Sequence, residues 1–216
     1  MNTELARKHM VNQQVRAVKV LDPKVLAIFN EVPRERFASK PYQSLAFADT
    51  NIPLAHRQVM MTPQVEGRLL QALEISGHDQ ALEIGTGSGF LTACLAKLAQ
   101  YVTSIDIFAD LVDTAGARLE ELAVHNIDVS AQDVFQHDFK QAFDVIAVTG
   151  SVPDYDPRFQ DWLKPGGRLF VICGEPPVMD AFLIRRIGND EWSRDSLFET
   201  YIPPLENAVI PERFIF

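Results

Sequence analysis

The segment EIGTGSG, residues 83–89, lies between two apolar stretches. Glycine at alternate positions permits a tight turn and lets a ligand approach the main chain closely. Asp106 lies about 20 residues beyond Gly85, where the next predicted strand ends, and a carboxylate at that place binds ribose hydroxyls in nucleoside cofactors. The spacing predicts a site for a nucleoside-containing cofactor, the alternative being a structural turn with an unrelated aspartate.

The charge beside this segment indicates which cofactor it holds. Glu83 stands two residues before the first glycine, where a carboxylate repels a pyrophosphate and attracts a cationic ligand. The G-x-G-x-G spacing differs from the G-x-G-x-x-G of dinucleotide sites, which counts against a nicotinamide-dependent oxidoreductase. S-adenosylmethionine carries a sulfonium and an amino group and no phosphate, so it is the predicted cofactor. Asp133 follows the next strand and is either an acceptor for the adenine amino group or a surface turn residue.

These residues need a scaffold that brings the ends of several strands together. From residue 79 onwards, apolar strand-like stretches alternate with helix-like ones, a pattern typical of a parallel sheet with helices on both faces. The strand-like stretches are QALEI, YVTSIDI, IDVSAQD, FDVIAVTG and RLFVICG. Two later stretches, AFLIRRIG and SLFETYI, predict antiparallel strands at one edge. The expected fold class is therefore α/β with a Rossmann-like, mostly parallel sheet of about seven strands.

Residues 1–60 are predicted to be an N-terminal helical extension and loop packed on a cofactor-binding domain of residues 61–216. Apolar positions favour one helix over residues 3–18. Asp22-Pro23 and Thr62-Pro63 each join an N-cap residue to a proline at the first helical position. The helices that they begin are expected to end near Pro33 and near Ser76-Gly77, and residues 35–60 are expected to form an ordered loop.

Composition narrows the classes of function. The chain has 216 residues, 47% of them hydrophobic, with a net charge of −9, which argues against general binding of nucleic acid. Cys94 and Cys173 lie in apolar runs and no cysteine or histidine spacing indicates a metal site. The N-terminal residues are polar, and no apolar run reaches the length of a membrane span. We therefore expect a cytoplasmic protein with no metal and no membrane or nucleic-acid partner.

Several motifs carry a resemblance to a known family. ALEIGTGSGF resembles the first motif of class I S-adenosylmethionine-dependent methyltransferases. Together with EVPRERF, FDVIAVTG, LKPGGRLFVICG and YIPPL, it makes residues 10–205 similar to protein-L-isoaspartate O-methyltransferases. The resemblance implies a seven-stranded sheet and methyl transfer to the α-carboxyl group of L-isoaspartyl residues in damaged proteins. The methyl ester then collapses to a succinimide, which reopens partly as normal aspartate.

The resemblance also implies roles for individual residues. Glu83 and the three glycines would cradle the methionine part of the cofactor, Asp106 the ribose and Asp133 the adenine. The full implied cofactor set is Glu83, Gly85, Thr86, Gly87, Ser88, Gly89, Asp106, Ile107, Asp133, Val134 and Thr149. The implied substrate residues are Arg57, Gln58, Val59 and Met60, and the implied catalytic positions are Met61 and Thr62.

The chain departs from the family just before the cofactor segment. The family pattern G-x-G-Q-T-I-S-x-P reads AHRQVMMTP here, at residues 55–63. Arg57 replaces a glycine, and Met61 replaces the serine associated with catalysis. Smaller departures are Gln132 and Val134 beside Asp133, where the family has glycines, and the sequence TGS at residues 149–151.

Because of these departures, the sequence does not identify the methyl acceptor. A carboxylate is already a nucleophile at neutral pH, so methyl transfer needs orientation and no general base. Loss of one hydroxyl contact costs about 1 to 3 kcal/mol. Met60 and Met61 add apolar surface, although one of them is expected to point into the core. Arg57 either attracts an acidic substrate or is a solvated loop residue, and Thr62 either offers its hydroxyl or caps the next helix, the reading we favour.

We therefore carry three hypotheses for the function. The first is methylation of isoaspartyl proteins or peptides. The second is methylation of another acceptor, such as a small molecule. The third is a protein that binds the cofactor without catalysing transfer.

Overall fold

The computed structural model describes residues 3–209, which form two sheets and six α-helices. The helices are α1 (Thr3–His9), α2 (Pro23–Glu31), α3 (Pro63–Leu73), α4 (Phe90–Leu98), α5 (Ala109–Glu121) and α6 (Arg158–Asp161). The small sheet pairs β1 (Ile52–Pro53) with β2 (Val59–Met60). The large sheet contains β3 (Gln80–Ile84), β4 (Tyr101–Asp106), β5 (Ile127–Ala131), β6 (Phe143–Val152), β7 (Leu163–Glu175), β8 (Val178–Arg186) and β9 (Trp192–Thr200).

The large sheet has the strand order β5-β4-β3-β6-β7-β8-β9. The first five strands in this order are parallel, and β8 runs antiparallel to both β7 and β9. The predicted mostly parallel sheet with two antiparallel strands at one edge is confirmed. Because successive side chains of a strand point to opposite faces, Ala81 and Leu82 belong to separate apolar clusters on the two faces. Across residues 3–209, no helix combines the length and apolar character that crossing a bilayer requires.

The N-terminal residues do not form the single helix predicted over residues 3–18. After α1 the chain widens into a π-helix at Met10–Val15 and then tightens into a 3₁₀ turn at Arg16–Val18. Met10, Val11 and Val15 of the wider turn are all buried in the core. A Cβ on Gly67 of α3 would lie 3.0 Å from Val15 Cγ1, so the glycine permits this close packing.

The predicted helix starts are confirmed, and one predicted end is wrong. Asp22 Oδ1 accepts a hydrogen bond from the Lys24 amide (2.8 Å) before Pro23. Thr62 Oγ1 accepts one from the Val65 amide (3.3 Å). However, α3 ends at Leu73, because Glu74 adopts a left-handed conformation (φ 46°) and the apolar Ile75 leaves the helical period. The predicted end near Ser76-Gly77 is therefore three residues too late.

The loop predicted at residues 35–60 is ordered by short turns and by the β1–β2 pair. In that pair Ile52 lies opposite Met60 and Pro53 opposite Val59. Residues between the two strands approach the glycine segment, since a Cβ on Gly87 would lie 3.3 Å from Leu54 Cδ1. The loop thereby meets the carboxyl ends of β3, β4 and β6. In the sheet β3 lies between β4 and β6, so the chain order reverses there, which is the usual binding place in open α/β sheets.

The cap of α3 yields a test of the two readings of Thr62. Thr62→Ala should lower the free energy of unfolding by about 1 kcal/mol, because the Val65 amide loses its partner. Thr62→Ser should retain the cap and serve as the matched control. Urea unfolding of the three proteins measures the difference. Unchanged stability in Thr62→Ala would reject the capping role and leave the hydroxyl free to act on a substrate.

Candidate active site

Two positions of the glycine segment disfavour a side chain, one through close packing and one through its backbone conformation. Gly85 has φ +100°, and a Cβ there would collide with the Thr149 hydroxyl of β6. That hydroxyl lies 2.7 Å from the Gly85 carbonyl oxygen and 3.0 Å from the Ile84 carbonyl oxygen. Gly87 has φ +51°, a left-handed conformation that favours glycine. The main chain is thereby held at the end of β3 with its surface open to a ligand.

A cleft of about 590 Å³, counted with the solvent at its mouth, opens where these strands end. We call it the main cleft. Nine residues predicted for the site line it: Gln58, Val59, Gly85, Gly87, Asp106, Ile107, Asp133, Val134 and Thr149. The structure therefore brings these nine predicted positions together at one surface, and their roles stay predictions.

Asp106 is held in place by the loop that follows it. Its Oδ2 accepts a hydrogen bond from the Gly87 amide (2.8 Å) and its Oδ1 accepts one from the Phe108 amide (3.0 Å). The side chain is 8% exposed, and burial raises the pKa of Asp106 while the two backbone amides oppose the shift. Each carboxylate oxygen has a second lone pair, so Asp106 can still accept hydrogen bonds from a ligand in the cleft.

Asp133 is a turn residue that also lines the main cleft. Its Oδ1 accepts a hydrogen bond from the Phe135 amide (2.9 Å), and its Oδ2 accepts hydrogen bonds from Gln136 and Asn207 (2.9 Å each). The neighbouring Gln132 donates to Ser130 Oγ (2.9 Å), while its buried Oε1 has no partner within residues 3–209. Gln132 is therefore the freer acceptor at this end of the cleft, and the sequence reasoning did not select it.

A segment near the C-terminus also lines the main cleft and was not predicted to do so. Ile202, Leu205 and Glu206 form one of its walls. The segment is fixed to the end of β6, where the Leu205 amide donates to the Ser151 carbonyl (2.9 Å) and Ser151 Oγ donates to the Ile202 carbonyl (3.0 Å). The motif YIPPL contains two of these positions and was the available signal. The other lining residues that were not predicted from the sequence are Leu54, Ile84, Ile105, Phe108 and Gly150.

A second cavity of about 290 Å³, counted with the solvent at its mouth, is lined in part by the glycine segment and shares Val59, Gly85, Gly87 and Thr149 with the main cleft. We call it the inner chamber. Its lining includes five further residues predicted for the site: Met60, Met61, Glu83, Thr86 and Ser88. It also includes Glu66 of α3, which was not predicted. Two carboxyl groups therefore border one small cavity.

Glu83 is fully buried, and only one of its oxygens has partners. Its Oε2 accepts hydrogen bonds from Thr92 Oγ1 (2.5 Å) and Ser104 Oγ (2.6 Å), while Oε1 has no partner in the described part of the chain. Burial raises the pKa of Glu83 to about 8, and the two hydroxyl groups oppose that shift. Ionising a buried carboxyl group whose second oxygen lacks a partner is costly, so Glu83 keeps its proton until a cationic group in the inner chamber pairs with the carboxylate and favours release of the proton.

Met60 and Met61 are buried side chains on the other side of the inner chamber, 3% and 5% exposed. Both also pack into the main apolar core. The place of the family serine is therefore an apolar surface at the edge of the core, and the neighbouring Thr62 hydroxyl is used in the helix cap.

Arg57, Thr62 and Gly89 are predicted site residues that line neither cavity. Arg57 is exposed and has φ +61°, and His56 beside it has φ +56°. Left-handed backbone is unfavourable for residues with a side chain, so glycine would suit position 57 better. His56 offsets part of this cost by stacking on Phe108 (ring centroids 3.9 Å apart) and by a 2.8 Å contact with Asp110. Gly89 instead allows α4 to approach α5, since its Cβ would lie 3.0 Å from Ala115 Cβ.

The raised pKa of Glu83 predicts how stability changes with pH. Its ordinary value is 4.5, so between about pH 4.5 and 8 the folded chain holds a proton that the unfolded chain has released. The free energy of unfolding should therefore fall as pH rises through this range. Glu83→Gln should weaken that fall, with Glu121→Gln, which removes an exposed carboxylate, as control. Urea unfolding from pH 5 to 8 measures both slopes, and equal slopes for wild type and Glu83→Gln would contradict the assignment.

Comparison with known sequences identifies one family that matches most of the chain. A family model, protein-L-isoaspartate(D-aspartate) O-methyltransferase (PCMT), matches residues 5–208. A protein-L-isoaspartate O-methyltransferase of Rhodopseudomonas palustris is 35% identical over 201 residues, 92% of each chain. One of Methanoculleus marisnigri is 35% identical over 187 residues, covering 86% of this chain and 85% of the relative.

Structural comparison gives the same fold. A Plasmodium falciparum protein, described as a protein-L-isoaspartate O-methyltransferase in complex with S-adenosyl-L-homocysteine, superimposes with a TM-score of 0.80. The alignment covers 95% of this chain and 99% of that one at 19% identity, which shows a shared fold. By its sequence, the chain belongs to the protein-L-isoaspartate(D-aspartate) O-methyltransferase family of S-adenosylmethionine-dependent methyltransferases.

Proposed function

We propose that this protein transfers the methyl group of S-adenosylmethionine to the carboxyl group of isoaspartyl residues in proteins or peptides. Family membership supports this function. The observation that carries it is the pair of cavities at the carboxyl ends of β3, β4 and β6, which share lining residues, with the buried Glu83 in the lining of the inner chamber and its Oε1 without a partner within residues 3–209. A cationic, phosphate-free nucleoside ligand suits the acidic groups of this arrangement.

The residues present fit this cofactor from end to end. Glu83 and the backbone of Gly85 and Gly87 would hold the methionine part, because a buried carboxylate oxygen without a partner favours an ammonium or sulfonium group. Asp106 would accept hydrogen bonds from the ribose hydroxyls. Gln132 would contact the adenine amino group, since the carboxylate of Asp133 already has three donors.

The chemistry supplied by the cofactor is an electrophilic methyl group. The acceptor carboxylate needs no base, so the protein has to orient it in line with the methyl group and remove its water. Gln58 lines the main cleft beside Val59, and its amide can donate to a carboxylate oxygen. Arg57, exposed at the same loop, supplies positive charge toward an acidic acceptor. In this proposal Gln58 and Arg57 take over the orientation that a serine hydroxyl gives elsewhere in the family.

A second candidate is methyl transfer to a different and more apolar acceptor. The buried side chains of Met60 and Met61 on the inner chamber favour it, because thioethers offer a carboxylate no hydrogen-bond donor. The net charge of −9 makes nucleic acid an unfavourable acceptor in either case. The expected cytoplasmic location stays a prediction from composition.

The cofactor assignment is tested at Asp106. Asp106→Asn should weaken S-adenosylmethionine binding by about 2 kcal/mol, roughly thirtyfold, because a charged acceptor is lost with little change in shape. Asp110→Asn is the matched control, since Asp110 is exposed, contacts His56 and lies outside the cleft lining. Calorimetric titration measures both affinities. Equal affinity of wild type and Asp106→Asn would remove Asp106 from the ribose site.

The acceptor is tested by labelled methyl transfer to an isoaspartyl peptide and to its normal aspartyl counterpart. We expect transfer to the isoaspartyl peptide alone, and an increase of about tenfold in Met61→Ser, because a hydroxyl again orients the carboxylate. Met60→Ser is the control for the loss of a buried methionine. Cofactor binding without transfer to either peptide would favour the second candidate and call for other acceptors.

A further inference from the structure

The buried Arg34 lies beneath the acceptor side of the site, although it lines neither cavity. It begins the 3₁₀ turn Arg34–Arg36 and is 0% exposed. Its Nη2 donates to the Met61 carbonyl (2.6 Å) and its Nε donates to the Ala46 carbonyl (2.8 Å). Its Nη1 donates to Glu66 Oε2 within a buried ion pair. The guanidinium also lies over the Phe90 ring, 4.6 Å from its centroid.

This one side chain therefore joins four segments: the loop at Ala46, the strand end at Met61, helix α3 and helix α4. Met61 and Glu66 both line the inner chamber. Arg34 thus sets where the backbone at Met61 lies relative to the glycine segment. Strand β2 is only two residues long and pairs with an equally short β1. The pairing between these two strands therefore does little to fix the position of Met61.

We infer that Arg34 is a positioning residue for the methyl acceptor, acting through the Met61 carbonyl and Glu66. The inference rests on the proposed function, because it concerns the acceptor side of the same site. A planar guanidinium can donate in three directions at once, to Ala46, Met61 and Glu66, whereas a lysine ammonium on a single stem cannot reach three separate elements with the same geometry. Positioning of this kind affects transfer strongly, since a displacement of about 1 Å can cost about a hundredfold in rate.

The test is Arg34→Lys, which keeps a positive charge beside Glu66. The matched control is Arg7→Lys, because Arg7 pairs with Glu35 through two short contacts (2.6 and 2.9 Å) in the same N-terminal region, away from the cavities. In Arg34→Lys, kcat/KM for the isoaspartyl peptide should fall about 10- to 100-fold, mainly through KM for the peptide. Affinity for S-adenosylmethionine should stay within about threefold of wild type. Arg7→Lys should retain both values.

A second readout does not depend on the acceptor. The chain has five methionines, so the methyl signals of Met60 and Met61 can be followed in a methionine-methyl-labelled NMR spectrum, assigned with Met60→Leu and Met61→Leu. Those two signals should shift or broaden in Arg34→Lys and stay in place in Arg7→Lys. If Arg34→Lys does not fold, the apolar pair Arg34→Leu/Glu66→Leu removes both buried charges and restores folding, and the same two signals are read there.

The outcomes separate the two proposals. Altered Met60 and Met61 signals together with a raised KM and retained cofactor affinity would support the inference. Unaltered signals and unchanged kcat/KM, or an equal loss of cofactor affinity, would overturn it, the last because Arg34 would then be a general structural residue. If wild type methylates no isoaspartyl peptide, the proposed function fails while the methionine signals still decide whether Arg34 positions this strand.

Discussion

The contact between the backbone at Gly85 and the hydroxyl of Thr149 joins β3 to β6 where the chain order of the sheet reverses. Because Gly85 carries no side chain, its main chain can approach Thr149 and turn away from the sheet within one residue. The surface of this turn stays open to a ligand. The amide of Gly87 is then free to bind the carboxylate of Asp106 at the end of β4. The ends of β3, β4 and β6 are joined by these hydrogen bonds and by those from the Gly85 and Thr86 amides to the Ile105 carbonyl, and both cavities are lined by this junction.

The buried charges around the inner chamber have different partners. Arg34 pairs with Glu66, whose pKa is raised by burial and held back by the guanidinium. Among the residues that the structure describes, Glu83 accepts hydrogen bonds from two hydroxyl groups only, and its second oxygen has no partner. Such a group lowers the stability of the chain without ligand, and it gives a cationic ligand a binding partner that water does not already occupy. An arrangement that lowers the stability of the ligand-free protein therefore increases the affinity of the site for a cationic ligand.

The acceptor side is built differently from the cofactor side. Its loop uses left-handed backbone at His56 and Arg57, and the stack of His56 on Phe108 links this loop to the start of α5. The methionines that follow belong as much to the core as to the cavity. Most of the departures from the family pattern thus lie in the loop that we propose meets the acceptor, with smaller ones at Gln132 and Val134 beside the main cleft, while Glu83, the three glycines and Asp106 keep that pattern. Arg34 lies in the family motif VPRERF. It donates a hydrogen bond to the main-chain carbonyl of Met61, and this contact does not depend on which side chain stands at position 61.

The sequence by itself determined the α/β sheet, the glycine turn, Asp106 and the acidic residue at position 83, because alternating apolar stretches and glycine spacing depend on neighbouring residues. The helix starts at Pro23 and Pro63, with the Thr62 cap, follow from local capping in the same way. Tertiary structure alone decided that Glu83 is buried, that Met61 lines a chamber while packing into the core, and that residues 202–206 form a wall of the cleft. It also placed Arg34 against Glu66 and Met61. These contacts join segments far apart in the chain, and no local pattern records which buried groups will meet.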